Sequence, residues 1–65
     1  MYMITENYFI IQKFNQHIRN QNIIRFKMAE DLGLHHSHIY RVLNNKRELS
    51  NNLRQKLNEY LGTDF

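Results

Sequence analysis

Two groups of side chains in this 65-residue chain have the types and spacing to do chemistry, and they lie side by side. The first is a histidine cluster, His35, His36 and His38. Imidazoles ligate metals and move protons. Metal ligation from one helix needs ligands a full turn apart, at i and i+4. These three are too close in sequence to share a helical face, and the chain has neither a cysteine nor an evident fourth ligand. No metal and no cofactor is expected. No nucleophile has a base at a usable spacing, no pair of carboxylates is suitably placed, and no glycine loop could cradle phosphate, so catalysis is not expected either.

The second group is cationic. Between His35 and Lys56 stand Arg41, Lys46, Arg47, Arg54 and Lys56 against one acid, Glu48. The first thirty-four residues are nearly balanced, and this stretch, with five bases against one acid, is more positive than the whole chain at +3. A localised basic surface is the footprint of a polyanionic partner. A solvated charged face is the plainer explanation when charge is taken alone.

The elements that must position these groups are helical. There is no proline, there are two glycines, and apolar residues recur at helical rather than strand spacing. A first helix is expected from about Thr5 to Asn20, capped by Thr5, with Glu6 at the positive end of its dipole. Phe9 or Ile10, Ile11, Phe14 and Ile18 lie near one face, and Asn20-Gln21-Asn22 ends it. A short second helix runs from about Arg25 to Leu32, with Met28, Ala29 and Leu32 inward, and Gly33 stops it. A third spans about His36 to Asn44, with Ile39, Val42 and Leu43 apolar and Asn44-Asn45 as the stop. A fourth starts at the cap Ser50 and ends at Leu61 before Gly62, with Leu53, Leu57, Tyr60 and Leu61 inward. The expected core is Phe9, Phe14, Ile18, Met28, Leu32, Ile39, Val42, Leu53, Leu57 and Leu61. Such a chain is one domain, an all-α, compact bundle of about four short helices, and its small core invites oligomerisation. No apolar run approaches the roughly 20 residues of a bilayer span. The N-terminus does not read as a secretory signal, and a cytoplasmic protein is expected.

The second and third helices carry a pattern. In a 20-residue window opening at Arg25, Ala29 is the fifth residue, Gly33 the ninth, Ile39 the fifteenth and Val42 the eighteenth. Two helices that cross steeply need a small residue at their closest approach, which Ala29 supplies. A tight turn needs positive φ, which Gly33 supplies. Ile39 and Val42 bury one side of the following helix and leave His36, Ser37, Tyr40, Arg41 and Asn44 on the other. This is a helix-turn-helix at 25–44, whose second helix enters a DNA major groove.

The segment KMAEDLGLHHSHIYRVLNNKRELS resembles the DNA-binding headpiece of the lac repressor family, and VLNNKRELSNNLRQKLNEYLG is especially similar to it. A full helix precedes the motif here, which is the layout of the lambda-repressor-like (Cro or Xre-type) domains. The resemblance spans roughly residues 10–62 and assigns the chain to that superfamily. It implies a sequence-specific regulator of transcription, acting on double-stranded operator DNA by repression, with a phage, plasmid or bacterial origin. No counterpart of a small-molecule effector domain is expected.

In the resembling families the positions of His36, Ser37 and Arg41 reach base edges. Arg41 can bond guanine O6 and N7 bidentately, and a phosphate contact or a plain surface arginine is the alternative. Tyr40 can meet a thymine methyl, touch a phosphate or pack. Arg25, His35, Asn44, Lys46, Arg47, Ser50 and Arg54 are the expected phosphate contacts, which fix register without carrying sequence information. A protonated histidine beside phosphate would strengthen binding at mildly acid pH.

One such domain meets only a half-site. A homodimer on a palindromic operator is therefore expected, pairing through Tyr2, Met3, Ile4 and Tyr8 or through residues Tyr60 to Phe65, unless these complete the core. A protein-interaction adaptor, such as an antitoxin or antirepressor, could be built on the same fold.

Overall fold

The computed structural model describes the chain from Thr5 to Phe65, and its side chains from Asn7 onward. Thr5 and Glu6 as cap and dipole partner, and Tyr2, Met3 and Ile4 as a pairing surface, lie outside the described side chains. Four helices follow one another: α1 Thr5–Asn20, α2 Arg25–Asp31, α3 His36–Leu43 and α4 Asn51–Leu61. The described residues contain no strand, so the chain is an all-α bundle. No described helix is long and apolar enough to cross a membrane.

The helices stop where the sequence allows a left-handed residue. Asn22, Gly33, Asn45 and Gly62 have φ of 57°, 73°, 63° and 68°. After each, the next amide reaches back to a carbonyl five residues earlier: Ile23 to Ile18, Leu34 to Ala29, Lys46 to Arg41 and Thr63 to Asn58, at 2.8–2.9 Å. This closure satisfies carbonyls that a helix end otherwise leaves open. Leu32 and Asn44, expected as the last residues of their helices, are instead the half-in residues just before the left-handed ones. Adding a Cβ at Gly33 would meet no atom within 4 Å, so the glycine is there for its backbone conformation and not for space.

The core is one cluster. Ile10, Ile11, Phe14 and Ile18 from α1, Met28 and Ala29 from α2, Ile39, Val42 and Leu43 from α3, and Leu53 and Leu57 from α4 are all buried, with Leu49 from the preceding loop. Leu32 and Leu61 pack at its edge, half-buried. Two expectations need correction. Phe9 is 54 % exposed and sets its ring edge-on to Tyr8, 5.8 Å away, because the buried stripe of α1 runs through Ile10, Phe14 and Ile18, four residues apart. Tyr60 is exposed and gives its hydroxyl to Asp31 at 2.7 Å, tying α4 to α2 from the surface.

The last residues fold back on the bundle. The Phe65 ring packs edge-on against Phe14 at 5.3 Å, and its amide donates to Asn58 Oδ1 at 2.8 Å. Phe65 and Leu61 are thus partly buried against their own chain's core.

Candidate functional site

The site expected from the sequence lies along α3, an eight-residue helix that the fold holds along its inner side and at both ends. Its inner side is fully committed: Ile39, Val42 and Leu43 are 0–2 % exposed. It packs on both α1 and α2. Its start is capped by His35, whose Nδ1 accepts the Ser37 amide at 3.2 Å and lies 2.7 Å from the Ser37 hydroxyl. With Nδ1 accepting, Nε2 is the ring nitrogen left to donate. His35 therefore does the work usually given to Ser, Thr, Asp or Asn.

The end of α3 is equally closed. A helix leaves its last four carbonyls without intrahelical partners. Here Tyr40 O accepts from the Asn44 amide, Val42 O from Asn45 and Arg41 O from Lys46. The fourth, Leu43 O, accepts from the side-chain amide of Asn15 on α1 at 2.9 Å. The Oδ1 of the same amide accepts from Arg25 Nη2 at 3.0 Å. One side chain of α1 thus joins the end of α3 to the start of α2.

The outer side of α3 is open. His36, Tyr40 and Asn44 succeed one another at four-residue intervals and are all exposed, with Arg41 beside them. Lys46 and Arg47 follow in an exposed loop, and the exposed Ser50 caps α4 by accepting the Leu53 amide at 3.1 Å. Among the described residues the one ion pair joins Lys27 and Asp31, 3.8 Å apart, so Arg41, Lys46 and Arg47 are not neutralised by a described carboxylate. The result is a succession of exposed donors and cations from His36 to Arg47.

Of the eleven expected contact residues, eight are exposed: His35, His36, Tyr40, Arg41, Asn44, Lys46, Arg47 and Ser50. Three are drawn inward. Ser37 is half-buried and engaged with His35. Arg25 is half-buried and engaged with Asn15. The Arg54 guanidinium is half-buried and donates twice to the main-chain oxygen of Phe65, from Nε at 3.1 Å and from Nη2. All three do structural work within the chain, Ser37 in the local cap of α3 and Arg25 and Arg54 through partners ten and eleven residues away that no local pattern announces.

Three aromatic rings cross the start of α3. His35 stacks on His36 with centroids 4.5 Å apart and planes 25° apart, and His36 meets Phe26 of α2 at 5.0 Å and 50°. Phe26, 58 % exposed, has no place among the residues expected from the sequence. The hint available was an aromatic one residue beyond the start of a helix whose buried positions, Met28 and Ala29, were already filled. His38 is half-buried.

Comparison with protein-family models, characterised proteins and solved structures finds no match to this chain.

Proposed function

We propose that the chain is a sequence-specific double-stranded DNA-binding regulator that lays α3 in the major groove. The observation that carries this reading is the division of α3 into a buried side and an open, uncompensated side of His36, Tyr40, Arg41 and Asn44, continued by Lys46 and Arg47. An α-helix fits the major groove, and base edges there present acceptors that a guanidinium meets bidentately. α3 follows α2 across residues 32–35 and is closed at both ends, so it is rigid enough to hold a register. Arg41 is assigned to base reading and Lys46 and Arg47 to phosphates. His35 can offer Nε2–H to a phosphate while its Nδ1 keeps the cap.

A half-site of one groove turn gives a single domain little discrimination, so the chain acts as a homodimer on two half-sites about one helical turn apart. The proposed mode is repression by occlusion, at its own promoter, since a protein seated in the groove excludes polymerase from the same DNA. A second reading has one observation in its favour. The exposed Tyr8–Phe9 pair on α1 is an apolar surface of the kind a protein-binding adaptor would need.

Selection of bound duplexes from random DNA tests the proposal. The expected result is a palindromic site bound with steep salt dependence, since each phosphate contact releases counterions. Recovery of no preferred sequence, or binding indifferent to salt, overturns it.

A further inference from the structure

We propose that Phe26, which lies outside α3, is a specificity-determining residue that reads the C5 methyl group of a thymine. The inference rests on the DNA-binding reading above. Phe26 leaves a whole aromatic ring in water, 58 % exposed, while Met28 and Ala29 of the same helix are fully buried. The core does not use it. Its ring lies 5.0 Å from that of His36, the first residue of α3, and both residues are exposed. A base edge that hydrogen-bonds His36 can therefore also bring its neighbour against Phe26.

What Phe26 can offer there is narrow. It has no donor and no acceptor, so it reads no hydrogen-bonding edge and makes no favourable phosphate contact. Apolar contact is what remains. In the major groove the one apolar group on a base edge is the thymine methyl. Covering the ring with that methyl removes apolar surface of both partners from water. His36, touched by both Phe26 and His35, is also held in place by the row of rings. Its polar edge and the apolar face of Phe26 thus meet neighbouring features of the DNA together. Tyr40 is the competing reader, 57 % exposed and one turn further along α3.

The test uses the full chain and the duplex that selection from random DNA returns. Each thymine is replaced in turn by deoxyuridine, which removes the methyl group and leaves every hydrogen bond. The expected result is one thymine per half-site whose replacement weakens wild-type binding about 3- to 5-fold. That loss disappears in Phe26→Ala, which binds the two duplexes equally, while circular dichroism shows the variant folded. Tolerance of deoxyuridine at every position by the wild type overturns the inference. So does a methyl effect that persists in Phe26→Ala and vanishes in Tyr40→Ala. A selected site without methyl dependence removes the role of Phe26 alone; failure to select any sequence removes the DNA-binding reading and this inference with it.

Discussion

Replacing Asn15 by alanine removes a side chain that bonds both the end of α3 and the start of α2. Its amide donates to Leu43 O at 2.9 Å and accepts from Arg25 at 3.0 Å. The first bond completes the carbonyls of α3, and Leu43 is 2 % exposed, so its loss costs about 1 kcal/mol. The second involves a charged donor and is stronger in principle, but Arg25 is half-exposed and can turn to water, so about 1 kcal/mol is assigned to it as well. Alanine returns about 0.5 kcal/mol through its better helix propensity in α1. The net expectation is a loss of about 1.5 kcal/mol, or a Tm lower by roughly 6–12 °C for a domain of this size. Urea and thermal unfolding followed by circular dichroism read it directly. Asn15→Asp separates the two bonds: it keeps an acceptor for Arg25 but sets a carboxylate against the Leu43 carbonyl, and is also destabilised. In a double-mutant cycle with Arg25→Ala the effects are non-additive by about 0.5–1 kcal/mol. Asn15→Ala as stable as the wild type, or strictly additive with Arg25→Ala, would refute the bridging role.

Other perturbations follow from the same geometry. His35→Ala removes the cap of α3 and lowers stability by about 1 kcal/mol, whereas His35→Ser restores it; DNA affinity that stays low in His35→Ser identifies Nε2 as a phosphate contact. Arg41→Ala relaxes discrimination at one base position in a selection experiment, while Lys46→Ala weakens all sequences alike and lowers the salt slope by about 1. An equal loss on every sequence for Arg41→Ala would exchange the two roles. The Asp31 carboxylate holds the Tyr60 phenol above its ordinary value of 10.0, chiefly by accepting its hydrogen bond, with burial and repulsion by the same charge adding to it. A raised folded-state pKa gives stability that is complete below the unfolded value and is lost as pH rises through the folded one. Tyr60→Phe therefore flattens the alkaline end of the stability profile, seen as a smaller fall in Tm above pH 10, and an unchanged profile would show that the bond contributes nothing.

The sequence makes the elements legible because their signals are local. Gly33, Asn45 and Gly62 stop helices within one residue of the expected places, and Ser50 caps α4 as its type suggests. The outer face of α3 is legible for the same reason: three apolar residues fix which side is inward. What stays hidden depends on tertiary partners. Nothing near Arg25 or Arg54 in sequence reveals that Asn15 and Phe65 engage them, ten and eleven residues away. Phe9 was ambiguous with Ile10 because three consecutive apolar residues satisfy two helical phases, and only packing chooses between them. Leu49, buried at 5 % exposure, sits in a loop where periodicity has no meaning. The cap at His35 escapes because histidine is not among the usual capping types. The aromatic row through Phe26 needs α2 and α3 to be assembled before its rings meet.

The claim at the centre, that the open side of α3 is the surface that meets DNA, is tested most directly by titrating the isotope-labelled chain with the selected duplex and following its backbone amides by NMR. A groove-binding α3 predicts the largest shifts at residues 35–47 and at Ser50, with Phe26 among them. Lys13 and the Tyr8–Phe9 surface of α1 stay unmoved. Shifts concentrated on Tyr8 and Phe9, with α3 silent, would contradict it.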